Sequence, residues 1–172
     1  MLRRFEASPL PIVVAINGLT LAGGIEIMMA CDVAFAGRTK AKIGDQHAQY
    51  GLIPGGGGTQ RLPRLLGLRR ALDLMFTNRW LDAHDAEKWG LVNKVVPAGT
   101  ALEEAKQMAK RIAQNPPFAL QMMKRSINAV YEAQGFTEGR DDHLMLRMIE
   151  GLTPDVPEKE MLAKVLQAQG MR

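Results

Sequence analysis

In the stretch "TLAGGIEIMMACD", residues 20–32, one carboxylate, Glu26, stands in an apolar run shortly after a glycine pair, Gly23-Gly24. A carboxylate buried alone is costly unless it is paired, neutralised or put to use. A glycine pair opening a helix leaves backbone N–H groups free at the positive end of the helix dipole. Such donors can bind a carbonyl oxygen that gains negative charge during a reaction, which makes an oxyanion hole. Without a side chain, Gly23 lets a ligand come close to its N–H. Glu26, about one turn further in, can border the same pocket and move a proton to or from a neighbouring carbon or water. The same glycine pair also serves as a plain packing device, and these residues alone leave both uses open.

The elements that would hold these groups follow from local patterning. Pro11–Ile16 is a short β-rich run stopped by Asn17-Gly18, and reads as a buried strand and turn. Gly23-Gly24 opens a buried helix, and Val33–Ala36 reads as a second strand ending at Gly37. Residues 38–51 are polar and read as irregular. "IPGGGGTQR", residues 53–61, reads as a glycine-rich loop entering a helix with Thr59 as its cap. Leu68–Phe76 is helical, Asp82 caps a helix running to Trp89, Gly90 ends it, and Val92–Val96 is a third strand. From Ala101 the period is helical over roughly 101–114, 117–133, 138–150 and 157–168, with Pro116-Pro117, Pro154 and Pro157 as breakers. Strand–helix alternation followed by helices places the chain in the α/β class. The expected division is an α/β core over residues 1–100 and a helical subdomain over 101–172. Three strands make a thin sheet for 172 residues, so a larger pattern or a partner should complete it.

Composition narrows the function. With 47% hydrophobic and 23% charged residues the chain is an ordinary globular one. A net charge of +4 suits an anionic ligand. With only two Trp, two Tyr and five Phe there is no basic–aromatic interleaving for nucleic acid. The apolar segment before Cys31 is broken by Asn17-Gly18 and Glu26, so neither an export signal nor a membrane span is expected. One cysteine, Cys31, forbids an internal disulfide and fits the cytoplasm. With no base at motif spacing, Cys31 reads as a buried inert thiol. "PGGGGTQR" lacks the Gly-Lys-Ser/Thr ending of a nucleotide-binding loop. No residue spacing points to a metal. Asp141, Asp142 and His143 are consecutive and point different ways on a helix. Trp80 and Trp89 read as packing residues, His84 as a surface group, and Arg38, Lys40 and Lys42 as a small basic cluster.

Three motifs, "AINGLTLAGGIEIMMACDVAFAG", "YGLIPGGGGTQRLPRLLG" and "LDAHDAEKWGLVNKVVP", stand in an order that strongly resembles the crotonase superfamily, which includes the enoyl-CoA hydratases and isomerases. The resemblance runs from about Pro11 to Ala133. It implies a spiral of ββα turns with C-terminal helices that build a homotrimer or a dimer of trimers. It implies an acyl-CoA thioester as substrate, with coenzyme A arriving as part of that substrate and no resident cofactor. The family stabilises a thioester enolate between two backbone N–H groups, one of which falls on Gly23, with Gly24 beside it. Its hydratases hold a water between two glutamates, one of which falls on Glu26. The glycine-rich stretch Pro54, Gly55, Gly56 and Gly57 falls where the family borders the acyl pocket.

Two departures shape the expectation. Where the hydratases read Gly-Gln-Pro-Glu, this chain reads Gly44-Asp45-Gln46-His47, so the second glutamate's place carries His47. An imidazole can transfer protons near neutral pH. Asp45 is a nearby carboxylate of lower rank, and an idle loop histidine is the plain alternative. The family's N-terminal strands and second oxyanion donor have no counterpart before Met1, so the core is expected to be truncated there. The expected activity is enoyl-CoA hydration or isomerisation through Gly23, Glu26 and His47. The alternatives are a thioester hydrolase of the same superfamily and an inactive assembly module.

Overall fold

A computed structural model describes residues 2–135 of the chain. Two three-stranded sheets form its frame. In the first, β1 (Val13–Ile16), β3 (Val33–Gly37) and β6 (Lys94–Val96) run parallel in the order β1-β3-β6, with Ala15 opposite Phe35 and Phe35 opposite Lys94. In the second, β2 (Leu19–Leu21) runs parallel to β4 (Lys42–Gly44), and β5 (Leu81–Asp82) pairs antiparallel with β4.

The second sheet corrects the expectation of three strands. Residues 38–51 are not irregular throughout: they hold β4 and a 3-10 turn at Ala48–Tyr50. Strands of two or three residues are too short to show period-2 alternation, and β4 finds its partners far away in sequence. The third expected strand also begins later, at Lys94, because the Leu91 and Val92 N–H groups both turn back to the Ala86 carbonyl.

The helices are α1 (Leu2–Glu6), α2 (Gly23–Met29), α3 (Gly58–Leu66), α4 (Leu68–Thr77), α5 (Ala83–Trp89), α6 (Ala101–Ile112) and α7 (Pro117–Ala133). Thr59 does not cap α3. The cap is Gly57, whose φ of 95° is left-handed and suits glycine, and Thr59 lies inside the first turn. Asp82 caps α5 as its sequence suggests: its Oδ1 accepts the Asp85 N–H at 2.9 Å, and Gly90 closes the helix with φ 82°. That bond holds the Asp82 carboxyl below the usual carboxylate range, so the cap stabilises above that range and is lost as pH falls through the lowered value. Asp82→Ala should destabilise the fold by about 1 kcal/mol, measured by denaturant titration at neutral pH, with the difference vanishing in acid. The helices expected over 138–150 and 157–168, with Asp141, Asp142 and His143, lie outside the described residues.

The main core lies between the sheets and helices α2 to α5. Ile25, Ile43, Leu62, Leu74 and Leu81 are fully buried there. Along β3, Ala34 and Ala36 face this core while Phe35 points the other way, as strand alternation requires. Phe35 and Val96 pack with Ala101 and Ala105 of α6, so that helix covers the outer face of the first sheet. Lys124 of α7 ties α1 down, donating to the Phe5 carbonyl at 2.9 Å and pairing with Asp32 at 2.7 Å. Trp89 packs on the main core with the Arg70 and Arg79 guanidinium groups 5.4 and 5.3 Å from its ring. Trp80, expected to pack, is instead half exposed, because it sits in the short link between α4 and β5.

Candidate active site

Glu26 lies on the inner face of α2, flanked by the buried Ile25 and, two residues on, by the buried Met28, and only 5% of it is exposed. Its burial is compensated. Oε1 accepts the Gly58 backbone N–H at 2.9 Å, at the first residue of α3, where the helix dipole favours an anion. Oε2 lies 3.9 Å from Nε2 of His47. The glycine-rich stretch makes room for this. A Cβ on Gly56 would stand 2.6 Å from Glu26 Oε2, and one on Gly58 would stand 2.7 Å from Pro54 Cβ. Arg61 of α3, itself buried, donates to the Gly56 carbonyl and to Glu6 of α1, which ties the loop to α1. Pro54 and Gly57 are buried and Gly55 is exposed.

His47 is largely buried beside Glu26. A single oxygen of Asp45, Oδ1, meets both the His47 backbone N–H at 3.0 Å and the ring Nδ1 at 2.7 Å. A carboxylate only accepts, so the short contact puts a proton on Nδ1. Burial pushes the imidazole pKa down, but the Asp45 hydrogen bond and the charges of Asp45 and Glu26 outweigh it, leaving His47 above its ordinary 6.5. The pairing therefore supports the fold fully below that ordinary value and fades as pH rises through the raised one.

Gly23 opens α2 through an unusual link. Ala22 holds φ 49° and ψ −117°, a region that non-glycine residues rarely enter. Its own N–H donates to the Gly44 carbonyl of β4 at 3.2 Å, while its carbonyl accepts from Ile25 and Glu26. That reversal turns the chain out of β2 and starts the helix. Gly23 is exposed with open space where a Cβ would be, and neither its N–H nor that of Gly24 meets an acceptor among the described residues.

Glu26, His47, Asp45 and the loop from Pro54 to Gly58 thus converge. Two clefts, of about 730 Å³ near α1 and α7 and about 340 Å³ between α6 and α7, are lined by none of Gly23, Glu26 or His47. Cys31 borders the larger one, and burial pushes its thiol pKa up, which suits an inert group. His84, Arg38 and Lys40 are exposed. The sequence reading missed the Gly58 N–H as the support of Glu26. Its signal was a dense glycine run entering a helix in a chain that also carries a lone apolar-flanked carboxylate.

This combination of a two-sheet α/β frame with a carboxylate and an imidazole over a glycine loop defines a class. The enoyl-CoA hydratase/isomerase family model matches residues 1–150, and the chain belongs to that family. It is 42% identical over 126 residues to the short-chain-enoyl-CoA hydratase of Clostridium acetobutylicum, covering 73% of this chain and 48% of that protein. It is 42% identical over 122 residues to a mitochondrial enoyl-CoA hydratase of Pongo abelii, covering 71% and 42% respectively. The solved enoyl-CoA hydratase from Mycobacterium paratuberculosis superposes with a TM-score of 0.79 at 31% identity, covering 86% of this chain and 66% of that one. The chain spans about half the length of the curated relatives it matches. No helix among the described residues is long and apolar enough to cross a membrane.

Proposed function

We propose that this chain carries the proton-transfer centre of a site for acyl-CoA thioesters, acting as an enoyl-CoA hydratase or isomerase. The observation that carries this reading is the buried Glu26 carboxylate, held by the Gly58 N–H and facing His47 Nε2. In hydration, the thioester carbonyl oxygen accepts a hydrogen bond from the Gly23 N–H. Glu26 takes a proton from water as the water oxygen bonds the β-carbon. Electrons move into the thioester enolate, which the Gly23 donor stabilises. The enolate collapses as its α-carbon takes a proton from His47, whose raised pKa helps it hold one near neutrality. In isomerisation, one base removes an α-proton and the γ-carbon is protonated in return, so Glu26 alone suffices. Coenzyme A belongs to the substrate in both cases.

A second reading is an assembly module that keeps the fold without turnover. It is favoured by α7, where Phe118, Met123, Ile127 and Val130 are each more than half exposed. The last three follow a helical spacing that forms one apolar stripe, suited to a homotrimer or a dimer of trimers. The lone cysteine suits a cytoplasmic setting.

The deciding experiment offers the purified chain a short 2-enoyl-CoA and a 3-enoyl-CoA, with a non-reactive acyl-CoA analogue for binding and native mass for assembly. Loss of the conjugated enoyl absorbance marks hydration, and its appearance from the 3-enoyl substrate marks isomerisation. An assembled chain that neither binds the analogue nor turns over either substrate would overturn the enzymatic reading in favour of the module.

A further inference from the structure

We infer that Asp45 is a positioning residue: its carboxylate fixes the His47 ring so that Nε2, the nitrogen facing Glu26, is the atom that exchanges protons. This rests on the reading of His47 as the second acid–base group. Asp45 is the most completely buried charged residue described, at 1% exposed, and lies too deep to meet a substrate itself. Its Oδ1 grips His47 twice, through the backbone N–H at 3.0 Å and through Nδ1 at 2.7 Å. The first contact sets the chain direction at residue 47, and the second sets the ring rotation and the tautomer. With Nδ1 committed to Asp45, the ring's only other nitrogen is Nε2, 3.9 Å from Glu26 Oε2. Asp45 Oδ2 is buried without a hydrogen-bond partner among the described residues, so the carboxylate's charge is answered chiefly by the imidazole. A carboxylate buried in that state favours a ring that holds a positive charge, which keeps a proton available at Nε2. The charged groups facing the ring are Asp45 from its own segment and Glu26 from α2. A glutamate at residue 47 would need no such support. The Asp-x-His spacing supplies with two residues what the hydratase pattern supplies with one.

The test is nitrogen-15 NMR of the imidazoles on the full chain, titrated with pH, for the unsubstituted protein, Asp45→Asn and Asp45→Ala. The unsubstituted His47 should carry its neutral-state proton on Nδ1. Asp45→Asn keeps an acceptor oxygen but removes the charge, so the His47 pKa should fall. Asp45→Ala should in addition release the ring to the Nε2–H form. Backbone spectra report whether each variant stays folded. A neutral His47 protonated on Nε2 in the unsubstituted chain, or a pKa unmoved in a folded Asp45→Asn, would overturn the inference. His47→Gln assayed on enoyl-CoA tests the underlying reading separately. If it keeps full turnover while the NMR results hold, Asp45 still orients the ring, and the assignment of His47 to the chemistry fails.

Discussion

A Glu26→Gln chain should lose turnover on a short 2-enoyl-CoA by about 100- to 10,000-fold, the usual contribution of a positioned acid–base group, while unfolding at nearly the same denaturant midpoint. The two halves of this expectation come from the same contact. Glu26 is held by one oxygen accepting the Gly58 N–H at 2.9 Å, and a glutamine carbonyl oxygen can accept that bond equally well. The buried N–H therefore stays satisfied, and the loss of roughly 1–3 kcal/mol that follows an orphaned donor is avoided. What the amide lacks is a proton-accepting oxygen towards His47. Removing the carboxylate also removes one of the charges that raise the His47 pKa, so the imidazole should titrate at lower pH in the variant. Full turnover in Glu26→Gln would remove the proton-transfer role altogether.

Gly56→Ala should damage both stability and activity. The added methyl would stand 2.6 Å from Glu26 Oε2, 2.8 Å from its Cδ and 2.7 Å from Leu2 Cδ1. Leu2 lies at the end of a short helix and can shift. The Glu26 carboxylate is enclosed, and moving it breaks the Gly58 bond. The loop cannot easily retreat, because Arg61 holds the Gly56 carbonyl. Overpacking of this kind costs about 1–3 kcal/mol, read by denaturant titration. A double-mutant cycle gives the sharper check. With Glu26→Ala already present the methyl has space, and Gly56→Ala should cost measurably less than in the parent. Equal costs in both backgrounds would mean that the methyl is accommodated by the loop and not resisted by Glu26.

How much of this was legible in the chain alone depends on what each element reports locally. The strand at Val13–Ile16, the helix opened by Gly23 and the Asp82 cap were readable, because apolar runs, a glycine pair and a capping carboxylate act within a few residues. The second sheet was not. Leu19–Leu21, Lys42–Gly44 and Leu81–Asp82 are strands only because they pair with one another, and none is long enough for a periodic pattern to be read. At the site, Glu26 stood out as a lone charge on an apolar face. His47 emerged through family resemblance, and the structure puts its Nε2 within 3.9 Å of Glu26 Oε2. Asp45 reads in sequence as a spare carboxylate, whereas its grip on His47 depends on a backbone turn that composition does not announce. The glycine run, by resemblance, borders a pocket. Its described contacts with Glu26 come from close approach and a single N–H, neither of which a glycine advertises in sequence.

Ala22 ties the mechanics of the chain to its chemistry. A residue bearing a side chain is wound into torsions that glycine alone occupies with ease, at a cost of about 1–3 kcal/mol, and the bond from its N–H to the Gly44 carbonyl keeps it wound. Gly44 stands next to Asp45. Any loosening of that strand end would therefore let the wound link relax, tilting the start of α2 and shifting the mount of the imidazole in the same movement, so the Gly23 amide and the Glu26–His47 pair are geared to one another through a single peptide.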